Sequence, residues 1–290
     1  MRDLGPKRLV PLCPGTIRNH LTTFCVIATT LALGACTEGA GSRGIAPVSL
    51  ALSSGASTTA PAAPQAAATE TFTDGTNTLA ISSVEVVLRK VVLKRAEAAP
   101  PAGCAMSTSG ITASDDGACD DHNDQGDELE AGPALVDLPL GGIERTFTAA
   151  VPAGTFDALE FQIHKPSSDG DAADQDFLKA HPDFAGISIR VKGTFNGADF
   201  SYTSDLSVGE ELRFDPPVVV TAGTPASVTI KLDLDGWFRS GGTLVDPATA
   251  AKGAENENLV RDNVIRSFHA FQDNDEDGMD DGHEGEDGGH

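Results

Sequence analysis

The residues best placed to do chemistry stand together near the C-terminus, in the run Asp273-Asn274-Asp275-Glu276-Asp277-Gly278-Met279-Asp280-Asp281-Gly282-His283-Glu284. Counted from Asp273, carboxylates occupy positions one, three, five, nine and twelve. Calcium takes about six to eight hard oxygen ligands in flexible geometry, and alternating Asp side chains can converge on one ion. Gly278 at position six allows the sharp turn, the Met279 carbonyl supplies position seven, and Glu284 can bind through both oxygens. A single loop of this kind binds in the submillimolar to millimolar range of extracellular modules. The competing reading is a solubilising acidic tail with chance spacing.

The details separate two families of loop. In paired EF-hands position eight is apolar, whereas here it is Asp280, and the apolar side chain, Met279, comes one place earlier. The spacing instead resembles a thrombospondin type-3 repeat, in which D-x-D-x-D-G, an apolar residue and a later Asp recur in calcium-wrapped tails. That resemblance implies Asp273, Asp275, Asp277, Asp281 and Glu284 as side-chain ligands, with Met279 contributing its backbone.

A second acidic run, from Asp115 to Glu128, lacks regular ligand spacing and reads as a solvated loop; His122 among Asp120, Asp121 and Asp124 is the alternative, a divalent-cation site. His164, His181 and His269 lie apart in sequence and read as surface or packed residues. No G-x-S-x-G elbow, H-E-x-x-H pair or phosphate-binding glycine loop is present, so no catalytic residue is nominated. Trp237-Phe238, after Leu232-Asp233-Leu234-Asp235-Gly236, either packs in the core or stacks on a sugar, with core packing favoured.

The N-terminus carries an address. Arg2, Lys7, Arg8 and Arg18 precede an apolar run, Leu21 to Leu33, too short to span a bilayer core of about 30 Å. Leu33-Gly34-Ala35-Cys36 resembles the bacterial lipobox, in which the cysteine is acylated and becomes the new N-terminus. The resemblance implies removal of residues 1–35 and a membrane partner through lipid on Cys36. With Thr37 following, it also implies the outer membrane of a Gram-negative envelope. Cys13 and Cys25 fall in the leader, which leaves Cys104 and Cys119 as an even pair in an exported chain, hence a predicted disulfide. The formal charge of −23 excludes nucleic acid as a partner.

Residues 36–70 are rich in Ala, Ser, Thr, Pro and Gly and read as a disordered tether. Residues 71–272 are expected to form the folded domain and 273–290 the acidic tail. Short apolar stretches with turn chemistry between them, such as Phe195-Asn196-Gly197-Ala198, predict a mainly β chain folded as an antiparallel β-sandwich. Leu79 to Lys94 reads as one or two strands. One or two short helices are expected, with three candidate positions: Asp174 to His181, Pro247 to Lys252 and Asn256 to Phe271.

Val136-Asp137-Leu138, Val151-Pro152-Ala153-Gly154-Thr155-Phe156-Asp157 and Gly186-Ile187-Ser188-Ile189-Arg190-Val191 resemble uncharacterised bacterial envelope lipoproteins with a prealbumin-like, or transthyretin-like, β-sandwich, which implies a prealbumin/immunoglobulin-like fold. The resemblance implies a fold and an envelope location but no activity. The functional expectation is a non-catalytic lipoprotein with a calcium-binding tail and a surface glycan or protein partner. The alternative is an envelope hydrolase, or an accessory to one, acting on glycans through carboxylates that the sequence does not single out.

Overall fold

The computed structural model describes residues 44–55, 69–96 and 127–282. Cys36, Cys104, Cys119, His122 and Glu284 lie outside the described residues, and so do the leader and the core of the second acidic run.

Strand alternation accounts for the first element. In β1 (Ile45–Ser53), Val48, Leu50 and Leu52 bury on one face, while small residues, Ser49, Ala51 and Ser53, occupy the other. Then follow β2 (Glu70–Thr73), β3 (Thr78–Arg95), β4 (Asp127–Glu130), β5 (Ala134–Asp137), β6 (Ile143–Pro152), β7 (Gly154–Ile163) and α1 (Ala172–Ala180). The remaining elements are β8 (Ile189–Phe195), β9 (Ala198–Ser204), β10 (Val208–Val220), β11 (Ala226–Leu232), β12 (Arg239–Ser240), β13 (Thr243–Leu244), α2 (Glu257–Arg266) and β14 (Phe268–Gln272).

These strands form two sheets and a small β12–β13 hairpin. One sheet has the order β14-β11-β1-β6; the other runs β10-β7-β3-β8-β9, with β2, β4 and β5 also paired to β3. Val48, Leu50, Leu52, Val228 and Ile230 of the first share one core with Ile81, Leu93, Phe161, Ile163 and Val191 of the second. The rings of Phe161 and Phe268 join the sheets at 5.3 Å. The result is a mainly β sandwich with two short helices, as the sequence predicts. One pairing departs from the antiparallel expectation: β1 and β11 run parallel, Val48 opposite Ala226 through Ser53 opposite Lys231.

Two further expectations are corrected, and one is narrowed. Residues 45–53 fall within the stretch read as a tether, yet form one of the two interior strands of the four-stranded sheet; their period-two pattern lies between Ala- and Ser-rich segments that look unable to bury anything. Leu79 to Lys94 is a single strand extending to both sides, β3, bent by a register shift between Arg89 and Val92 where Lys90 has φ of 54°. Its first half pairs with β8 and its second with β7. The helix expected from Asn256 to Phe271 stops at Arg266, because Phe268–Gln272 instead completes the sheet as β14, with Phe268 opposite Leu232.

The other two helical expectations hold in outline. Asp171 caps α1 by accepting from the Asp174 N–H at 3.0 Å, and Pro182 follows its end. Pro247–Ala250 is a single 3-10 turn. Trp237 and Phe238 are fully buried, and the Trp237 indole N–H donates to Ser267 Oγ at 2.7 Å, so this aromatic step packs the core.

Candidate metal centre

β14 delivers the acidic segment to the face of the four-stranded sheet that points away from the core. One residue beyond the strand, the Asp273 N–H still donates to the Ser227 carbonyl at 3.0 Å, extending the β11–β14 ladder. The Ser227 N–H in turn donates to Asn274 Oδ1 at 3.2 Å. The chain then crosses toward β6, where Arg145 and Glu276 form an ion pair, and comes back to donate the Asp281 N–H to the Gln272 carbonyl at 3.1 Å. Residues 273–281 are thus a compact Ω-like loop whose ends meet. Beyond it, a Cβ at Gly282 would stand 2.5 Å from Pro216 Cδ, so the chain closes directly against β10.

Asp273 is the foundation of the loop and has no exposed surface. Its Oδ2 accepts from Thr229 Oγ1 at 2.7 Å and from the Gly278 N–H at 3.1 Å; its Oδ1 accepts from the Asp277 N–H at 3.0 Å. Burial pushes this carboxyl above its ordinary pKa, against the three hydrogen bonds, which favour the charged form. Gly278, with φ of 83°, adopts the left-handed conformation needed to turn its N–H back onto Asp273, as the position-six glycine predicts. Local side-chain turns complete the path: Asp277 Oδ1 accepts from Met279 N–H at 2.7 Å and Asp280 Oδ1 from Gly282 N–H at 2.9 Å.

Within this loop, Asp273, Asp275 and Asp281 each present a carboxylate oxygen, the three lying within 4.8 Å of one another. Asp281 is held by the Asn274 N–H, which donates to its Oδ2 at 2.8 Å. These three of the predicted ligands are brought together, and they can chelate a cation. Asp277 is on the same loop but turns one carboxylate oxygen to the Met279 N–H, and the Met279 side chain is exposed.

The sheet residues that seat the loop were not visible in the acidic motif. Thr229 lies 44 positions from Asp273, and Arg145 lies 131 from Glu276. No local spacing joins them; the only signal available was the alternation that puts Ser227 and Thr229 on the non-core face of β11.

A second polar cluster lies at the end of β7. His164 Nε2 and Asp174 Oδ1 are 2.6 Å apart and both residues are buried, with Arg89 reaching the same oxygen at 3.4 Å. His164 is thereby a packed residue joining β7 to α1, as the sequence reading favours. Against this geometry, no protein-family model, no curated protein and no solved structure matches the chain.

Proposed function

We propose that the chain is an exported, lipid-anchored envelope protein whose non-catalytic β-sandwich is locked at its C-terminus by a calcium ion. The observation that carries the calcium reading is the convergence of Asp273, Asp275 and Asp281 within 4.8 Å on a loop already seated in the sheet. Ligand oxygens about 2.3–2.6 Å from one calcium ion lie within about 5 Å of each other, the range within which these three carboxylates already converge. The thrombospondin type-3-like spacing adds to this reading, with Glu284 as a further ligand. Export and anchoring rest on the leader and Cys36, and the prealbumin-like motifs agree with an envelope role. A glycan or protein partner would find polar and aromatic surface in the shallow depression of about 500 Å³ lined by Lys231, Asp233, His269 and Phe271.

Calorimetric titration of the mature chain with calcium, beside a variant carrying Asp273→Asn, Asp275→Asn and Asp281→Asn, tests the centre. One saturable site that the triple variant lacks is expected. Equal heats from both proteins would reduce the loop to a solvated acidic turn.

A further inference from the structure

Because β1 begins at Ile45, only eight residues separate Cys36 from the folded domain, where the composition alone indicated a leash reaching to residue 70. Eight fully extended residues span at most about 28 Å. A domain of about 200 residues is roughly 40 Å across. An anchor at Cys36 therefore cannot let the far end of the sandwich touch the surface that holds it, whatever path the eight residues take.

The point of entry is fixed. The Ala153 N–H donates to the Gly44 carbonyl at 2.7 Å and the Gly223 N–H to the Ile45 carbonyl at 3.0 Å. A Cβ at Gly44 would stand 2.5 Å from that of Ala222. Around this entry the starts of β1 and β7 and the ends of β6 and β10 meet: Ile45 is opposite Pro152, and Val220 is opposite Gly154. Ile45 is 62% exposed and Val219 is 57% exposed, two of the three large apolar side chains that stand open among the described residues.

We propose that this Ile45–Val219 end of the sandwich lies against the lipid surface to which Cys36 is anchored. The inference rests on the lipid-anchor reading above. The surface it fits is zwitterionic. Arg95 is paired with Asp127 at this same end, so it offers no free cation to lipid phosphate, and the formal charge of −23 would repel an anionic bilayer.

The test uses the full acylated chain in phosphatidylcholine vesicles, with a photoreactive benzoylphenylalanine placed at Val219 in one preparation and at Glu144 in another. Glu144 pairs with Leu52, at the opposite end of β1. Flotation of each preparation, and of a Cys36→Ser variant, is scored before irradiation; lipid adducts are then read by mass spectrometry. Flotation that needs Cys36, with adducts at position 219 about tenfold above those at 144, is expected, and a Gly/Ser insert of about 20 residues after Glu38 should lower that ratio by releasing the leash. Cys36-dependent flotation with equal adducts at the two positions would overturn the apposition and leave the anchor standing. Flotation that survives Cys36→Ser, or no flotation at all, would remove the anchor and the apposition with it.

Discussion

Asp275 is the carboxylate of the centre that is exposed and makes no hydrogen bond among the described residues, so Asp275→Asn removes charge and little else. Its oxygen lies within 4.8 Å of those of Asp273 and Asp281. At that outer limit of separation two unit charges repel by about 0.9 kcal/mol in bulk water, and physiological salt roughly halves this. Relieving two such repulsions should stabilise the calcium-free protein by about 1 kcal/mol, or about 2–4 °C in Tm for a domain of this size. With calcium the sign reverses. For a site in the range of about 0.1–1 mM, about 10 mM calcium stabilises the wild type by roughly 1.4–2.7 kcal/mol, or about 3–10 °C, and the variant should lose most of that gain. Melting followed through Trp237, the single tryptophan and fully buried, in chelator, calcium and magnesium would show the two orders of stability crossing. A wild-type Tm that ignores calcium, or a variant that melts lower in chelator, would refute the electrostatic reasoning.

Four further outcomes are expected. Thr229→Val keeps the strand's shape but deprives the buried Asp273 of its hydroxyl donor, at a cost of about 2 kcal/mol in urea denaturation; calcium affinity should fall with it. Leu52→Ala, within the stretch that composition reads as a tether, should cost about 2–5 kcal/mol because its side chain is buried between the sheets, whereas a true tether would tolerate it without measurable loss. Trp237→Phe removes the indole donor to Ser267 and part of a filled core site, for a loss of about 2 kcal/mol by circular dichroism melts. The fourth concerns pH. Lys252, then Arg261, hold the Asp205 carboxyl down to about 2 from 3.8, so its stabilisation is fully present above 3.8 and disappears as pH falls through about 2. Solvent screening limits this to about 1 kcal/mol. Asp205→Asn should flatten the stability curve across that window, and an unchanged acid limb would count against the triad.

How much of this was legible depended on whether the signal was local. β3 could be read because Val84, Val86, Val87, Leu88, Val91 and Leu93 crowd one stretch with β-branched and apolar side chains. The acidic loop could be read because its ligands and its glycine sit at short, fixed offsets. β1 was hidden because its non-core face is built of Ser and Ala, which in one dimension resemble the linker on either side. β14 was misread because Phe268 and Phe271 fit a helical period as well as a strand, and only pairing with β11 decides between them. Thr229 and Arg145 were out of reach altogether: their roles arise when distant strands are brought alongside the tail, and nothing in the intervening sequence records that meeting.

The parallel pairing of β1 and β11 also governs the order in which this protein can assemble. β1 leaves the ribosome before any of its sheet partners, yet its two neighbours are β6, at residues 143–152, and β11, at 226–232. β6 can pair with β1 once half of the chain is available, but the other edge of β1, and the seat of the loop on β11, are filled only when nearly the whole chain is present. Contacts this distant in sequence make folding slow, because chain closure must precede the burial that rewards it. Truncation at the C-terminal side of β10 should leave β1 paired with β6 alone, its β11 edge open, and the product prone to aggregate.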